Sequence, residues 1–118
     1  MANVLVADDD FISLEIMKAM LQRDGLQVTT VMNGQAAIDA CAAGAFDLIL
    51  LDYEMPDMTG AQVANRLREQ SCRAPIIAVT GHNSAAELEA CAAAGMVATL
   101  HKPLAPDALE ALLQRWLP

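Results

Sequence analysis

The sequence predicts an α/β protein, a parallel sheet with helices on both faces. Three observations predict it. Short apolar runs alternate with longer stretches of helical periodicity, five times over in 118 residues. The runs are apolar through their centres, as in Val4-Leu5-Val6-Ala7 and Leu48-Ile49-Leu50-Leu51. That is the pattern of strands covered on both sides, where a strand with one wet face would alternate. Polar residues then gather at the C-terminal ends of these runs: Asp8 and Asp9, Asp52, Thr80.

The elements follow in order. Residues 4–7 form the first strand. A helix is predicted over 11–24, where Leu14, Met17 and Leu21 share one face, and Gly25 stops it. Asp10 is placed to be its N-cap. Residues 26–31 read as the second strand, Asn33-Gly34 as a turn or cap, and 35–43 as an Ala-rich helix ended by Gly44. The third strand is 46–52 and a loop covers 53–58, in which Met55 reads as a shield for whatever site Asp52 forms and Asp57 as a turn residue. Thr59-Gly60-Ala61-Gln62 has the spacing of a capping box, and Val63 and Leu67 are the buried pair of the next helix. Residues 75–80 are the fourth strand. Ser84-Ala85-Ala86-Glu87 is a second capping box, opening a helix that stops at Gly95. Residues 97–101 are the fifth strand, Lys102-Pro103 breaks the chain, and a last helix buries Leu109, Leu112, Leu113 and Trp116.

Composition narrows the function. The chain is 55% hydrophobic and 19% charged, which is globular, and long enough for one core, so residues 1–118 read as a single domain. Seven basic against fifteen acidic residues give a net charge of −8 and a pI near 4.4. That speaks against direct nucleic-acid binding and against contact with an anionic membrane, since both need a basic face. No apolar run approaches the roughly 18 residues of a membrane span, and Met1-Ala2-Asn3 does not begin a signal peptide, so a cytoplasmic location is expected. Cys41, Cys72 and Cys91 have no metal or CxxC spacing and read as free thiols of a reducing compartment. His82 and His101 lack a third ligand at zinc spacing.

Ligands of an open parallel sheet bind beyond the carboxyl ends of its strands. There the order of elements brings together Asp8, Asp9, Asp52, Thr80 and Lys102. Three neighbouring carboxylates repel one another unless a cation intervenes. A hard divalent ion with oxygen ligands, Mg²⁺ or Mn²⁺, suits such a set. With that ion and the Lys102 ammonium, the cluster could receive a phosphoryl group. Asp52, at the end of the central strand, is the best candidate nucleophile, because an ionised carboxylate needs no general base to attack phosphorus. Lys102 would pair with one phosphoryl oxygen and Thr80 would donate to another.

Four segments carry a family resemblance: Val4-Leu5-Val6-Ala7-Asp8-Asp9-Asp10, the stretch from Asp47-Leu48-Ile49-Leu50-Leu51-Asp52 through Met55-Pro56 to Thr59-Gly60, Pro75-Ile76-Ile77-Ala78-Val79-Thr80, and His101-Lys102-Pro103-Leu104. In this order and spacing the chain resembles the receiver domain of two-component response regulators, and most resembles receivers attached to hybrid sensor histidine kinases. The resemblance implies a flavodoxin-like (βα)5 fold with strand order 2-1-3-4-5. It implies that Asp52 is the phosphoacceptor, with Thr80 and Lys102 assisting. Asp8, Asp9, Asp52 and the Glu54 backbone carbonyl would hold Mg²⁺, and Lys102-Pro103 would be cis. It implies a histidine kinase or histidine phosphotransfer domain as partner, docking near Phe11 and Leu14, and a downstream output domain read through the fourth and fifth helices. Such a domain is no conventional enzyme, but it would catalyse its own phosphorylation and dephosphorylation. Glu54 and His82, two residues past Asp52 and Thr80, stand where side chains could screen an acyl phosphate from water. Thr99 departs from the pattern, replacing the aromatic residue usual three before the lysine, so an aromatic rotamer switch lacks its side chain; Gly81 replaces the usual Ala.

Two other readings compete. Asp8-x-Asp10 also resembles the nucleophile loop of haloacid-dehalogenase-type phosphatases, with Asp8 as nucleophile and Asp10 as acid/base, but Phe11-Ile12 follows where that family has Gly-Thr, and the chain is short for that fold. A degenerate receiver that docks a partner without phosphate is the other, and its usual mark, loss of an acid, the Thr or the Lys, is missing.

Overall fold

A computed structural model describes residues 2–81 and 84–117. Five strands and five helices alternate: β1 (Asn3–Ala7), α1 (Phe11–Arg23), β2 (Gln27–Val31), α2 (Gly34–Ala43), β3 (Leu48–Asp52), α3 (Gly60–Glu69), β4 (Ile76–Thr80), α4 (Ala85–Ala93), β5 (Ala98–His101) and α5 (Pro106–Trp116). All neighbouring strands pair in parallel, in the order β2-β1-β3-β4-β5. This is the predicted flavodoxin-like arrangement.

Strand periodicity builds the two layers. Successive side chains point to opposite faces. Leu5, Ala7, Ile49, Leu51, Ile76 and Ala78 therefore meet Ile38, Val63, Leu67 and Cys91 from α2, α3 and α4. Their alternates Val4, Val6, Leu48, Leu50, Ile77 and Val79 meet Leu14, Met17, Leu21, Leu109, Leu112 and Leu113 from α1 and α5. A central strand covered on both faces has no polar position to spare, which is why β3 and β4 read as unbroken apolar runs.

The element ends differ from the sequence reading by one or two residues. β3 starts at Leu48 because Asp47 turns aside: its N–H donates to the Asn3 carbonyl and its carboxylate accepts from the Asn3 N–H. β4 starts after Pro75, and α2 starts at Gly34. Asp10 caps α1 as expected, and Thr59 and Gln62 form the complete capping box. At α4 only the first half is seen, Ser84 Oγ accepting from the Glu87 N–H, while Glu87 Oε2 is buried without a hydrogen-bond partner among the described residues. Trp116 is only partly buried at the edge of its core, with the Arg115 guanidinium over its ring. Lys102-Pro103 is cis, as the resemblance implies.

Three expectations are corrected. Asp57 does more than turn the chain: its two carboxylate oxygens accept from the Gly34 and Gln35 N–H groups at 2.8 and 2.9 Å, capping α2 from the β3–α3 loop. Met55 is not an exposed shield; its apolar side chain is buried in the core. Leu14 is buried in the core and cannot belong to a docking face with the exposed Phe11.

Three helices end the same way. The N–H of the second residue past the cap reaches back five residues: Leu26 to Leu21, Cys72 to Leu67, Met96 to Cys91. The motif puts the residue between in the left-handed region. Gly25 and Gly95 serve two of the helices, but Ser71 holds φ +64° at the third. A Cβ is disfavoured there. We expect Ser71→Gly to stabilise the fold by about 0.5–1 kcal/mol, read as a rise in the urea midpoint without a change in slope.

Candidate functional site

Each acidic residue of the cluster is delivered by a strand end. Asp8 follows β1, and its N–H still donates to the Val31 carbonyl of β2, which holds it in the sheet. Asp52 is the last residue of β3, and the next N–H, of Tyr53, donates to Val79. Thr80 ends β4 and is buried. The Lys102 N–H donates to the Thr80 carbonyl at 2.9 Å, which anchors the lysine immediately past β5.

The side chains converge as predicted. Oxygens of Asp8, Asp9 and Asp52 all lie within 4.8 Å of one another. Lys102 Nζ stands 2.7 Å from Asp8 Oδ2 and 3.4 Å from Asp52 Oδ1. Asp8 is fully buried; its Oδ1 accepts from the Asp10 N–H, and among the described residues its Oδ2 has no partner except the ammonium. Asp9, Asp52, Glu54, Thr80, Gly81 and Lys102 line a cleft of about 250 Å³. His82, the other predicted screen of this cleft, lies outside the described residues.

The electrostatics are unbalanced. Three carboxylates face one ammonium, and two like charges about 5 Å apart repel by about 3 kcal/mol at an effective dielectric of 20. Burial, and next the charge of Asp8, raise the Asp52 pKa to about 7, against the opposing pull of Lys102. Burial works to lower the Lys102 pKa, but the bond to Asp8 and the charges of Asp52 and Asp8 outweigh it, so the ammonium is held charged. A hard cation fits this donor set: all oxygen, excess negative charge, and a buried carboxylate oxygen with a single ionic partner. Asp8, Asp9 and Asp52 could hold it.

The loop after β3 frames the cleft. The Gly60 N–H donates to the Tyr53 carbonyl at 2.6 Å, and a bridge joins Glu54 to Thr59. A Cβ at residue 60 would stand 2.7 Å from the Asp52 carbonyl oxygen, so only glycine lets α3 start this close to the end of β3. Asp57 pins the same loop to α2. Sequence reasoning missed that clamp, since its partners lie more than twenty residues away.

Asp10 takes no part in the cleft. Its carboxylate accepts from Ile12 N–H and Ser13 Oγ, which lowers its pKa, the serine bond contributing most. An acid/base residue in the haloacid-dehalogenase manner would need to face Asp8's substrate, and this one is spent on capping α1.

Comparison with known proteins agrees with this geometry. The profile described as the response regulator receiver domain matches residues 4–114. The chain is a receiver domain of two-component signalling. A curated relative, the two-component response regulator 24 of Arabidopsis thaliana, is 37% identical over 96% of this chain and 82% of its own. The aerobic respiration control sensor protein ArcB of Escherichia coli K12 is 32% identical over 97% of this chain, which spans only 15% of that relative. Among solved structures, the receiver domain of the sensor histidine kinase PA1611 of Pseudomonas aeruginosa, solved with a magnesium ion coordinated in its active-site cleft, superposes with a TM-score of 0.91 at 32% identity, over 98% of this chain and 96% of that one. Receivers of this family thus bind Mg²⁺, and they occur both in response regulators and in hybrid kinases. Among the described residues of this receiver no helix is long and apolar enough to cross a membrane.

A pH dependence follows from Asp52. In the metal-free receiver the folded state holds a proton on this group that the unfolded chain releases near its ordinary value of 3.8. Stability should therefore fall as pH rises from about 4 to about 7 and level off above. Below pH 7 the same proton competes with a divalent ion, so the apparent Mg²⁺ affinity should weaken up to about tenfold per pH unit. Asp52→Asn should flatten the stability slope and raise metal-free stability at pH 8 by on the order of 1–3 kcal/mol. Thermal melts and Mg²⁺ titrations between pH 5 and 8 check both.

Proposed function

We propose that residues 1–118 act as one receiver domain that takes a phosphoryl group from a phosphohistidine onto Asp52 and signals by the change that follows. The observation that carries this reading is the convergence of three carboxylates and Lys102 at the rim formed by β1, β3 and β5. An Asp52 carboxylate oxygen would form the new bond to phosphorus as the bond from phosphorus to the imidazole nitrogen breaks, and the imidazole would leave with that electron pair. Lys102, already between Asp8 and Asp52, would follow the new negative charge, and Thr80 at the end of β4 would donate to a second phosphoryl oxygen. We assign Mg²⁺, with Mn²⁺ as its substitute, to Asp8, Asp9, Asp52 and the backbone carbonyl of Glu54; the ion would supply charge neutralisation between the carboxylates and the phosphoryl oxygens.

The partner we infer is a histidine kinase or a histidine phosphotransfer domain. Phe11, Ile12 and Ile16 are exposed on α1, beside a cleft of about 330 Å³ whose wall includes Lys102 and Pro103. An apolar helix face carrying the phosphohistidine would cover these side chains and deliver its imidazole to the rim. The exposed Leu88 of α4 and Val97 before β5 support the expected output surface toward a downstream domain. The cytoplasmic location rests on the family alone.

Incubation with acetyl phosphate and Mg²⁺ tests the reading without a partner. The expected result is a hydroxylamine-labile gain of one phosphoryl group, mapped to Asp52 after trapping and absent from Asp52→Asn. Lys102→Ala should slow its formation by about 10²-fold, the usual cost of one charge-stabilising donor. Label on Asp8 would point to the phosphatase reading. A protein that binds Mg²⁺ yet forms no adduct would be a docking module.

A further inference from the structure

At the far end of the sheet from the acidic cleft, a crevice of about 700 Å³ separates the segments that lead into β3 and β4. Its walls include Cys41, from the last turn of α2, and Cys72, just past α3. Both thiols are half-buried and free, and both pack against the same core. Nothing in the chemistry of the acidic cleft uses them.

The placement of Cys72 is unusually fixed. Its N–H donates to the Leu67 carbonyl across the left-handed Ser71. Its own carbonyl accepts from Arg68 Nη1 at 2.7 Å, and the same guanidinium holds the Ala74 and Gly95 carbonyls. Cys41 sits on a regular helix whose last N–H bond, from Gly44 to Ala40, is intact. The two side chains are therefore held toward one crevice by rigid backbone on both sides.

We propose that Cys41 and Cys72 form a reversible dithiol–disulfide site that responds to hydroperoxides. One thiol attacks the terminal peroxide oxygen, giving a sulfenic acid and an alcohol, or water from hydrogen peroxide. The second thiol attacks the sulfenic sulfur, forming the S–S bond and releasing water. Two electrons pass from the pair of thiols to the peroxide, and a dithiol reductant reverses the change.

The two cysteines have unequal parts. Burial, and next the neighbouring Cys72, push the Cys41 thiol up to about 12, so Cys41 stays protonated. The thiolate is the reactive form, so Cys41 is the poorer first nucleophile and is assigned the resolving part. Cys91 is a buried thiol of the core, its pKa raised by burial, and is not a member of the pair.

The bond would enclose residues 42–71, which contain β3, Asp52 and all of α3. The test treats the whole chain with a small excess of hydrogen peroxide, quenches with an alkylating agent, and maps the peptides. The expected result is loss of two of the three free thiols, one Cys41–Cys72 linked peptide lacking two hydrogens, an upward shift in Tm, and full reversal by dithiothreitol. Cys91→Ser should react unchanged, while Cys41→Ser and Cys72→Ser, with the alanine variants as controls for folding, should lose the linked peptide. A link that includes Cys91, a disulfide between two chains, or oxidation to sulfinic acid with no link would each overturn the proposal. The readout is thiol chemistry, so it succeeds or fails whether or not Asp52 takes phosphate.

Discussion

The receiver is organised around a charge conflict that its own side chains do not resolve. Asp8 is buried completely, Asp9 and Asp52 stand beside it, and the single ammonium of Lys102 answers them. An isolated buried carboxylate would take up a proton to escape its desolvation cost. Asp52 does move that way, upward to about 7. Lys102, by contrast, is held charged against burial. The cluster thus sits near balance between proton, ammonium and an added cation. A phosphoryl group, which brings negative charge and oxygen ligands together, changes which of these wins.

The rest of the fold serves to keep the conflict in place. Repulsion of a few kcal/mol would push three surface carboxylates apart by rotamer change. Here they leave strands whose preceding residues are buried on both faces, Val4 to Ala7 and Leu48 to Leu51. Sliding either strand by one residue would exchange the two core faces along its whole length. Register is thereby fixed by many apolar contacts, and the acidic residues at the strand ends inherit that fixity. Lys102 is tied by its backbone to Thr80, so the cation is anchored to the same frame as the group it pairs with.

Much of this was legible in the sequence because its signals are local. Apolar runs, glycine stops, the Asp10 and Thr59 caps and the acids at strand ends all lie within a few residues of the feature they specify. The receiver segments added strand order and the cis bond before Pro103, which periodicity cannot give. What stayed hidden has distant partners. Asp57 looked like a turn residue because the N–H groups it caps belong to Gly34 and Gln35. The resemblance placed partner docking near both Phe11 and Leu14, but helical periodicity puts Leu14 on the face of Met17 and Leu21, which is core, and leaves Phe11 exposed. Met55, in a polar loop, reads from sequence as a shield for the site and is core. Glycine at residues 25 and 95 marked helix ends openly, whereas Ser71 fills the same backbone position with no such mark.

The two ends of the sheet differ in what they ask of the chain, and the difference is physical. At the C-terminal ends of the strands, backbone geometry leaves polar groups facing a cleft, and the cost of gathering charge there is accepted because the core cannot shift. At the N-terminal ends, the crevice between α2 and the loop after α3 is lined mainly by small residues and two thiols. A bond across that crevice would join the helix before β3 to the loop before β4. These are the strands that carry Asp52 and Thr80 at their other ends.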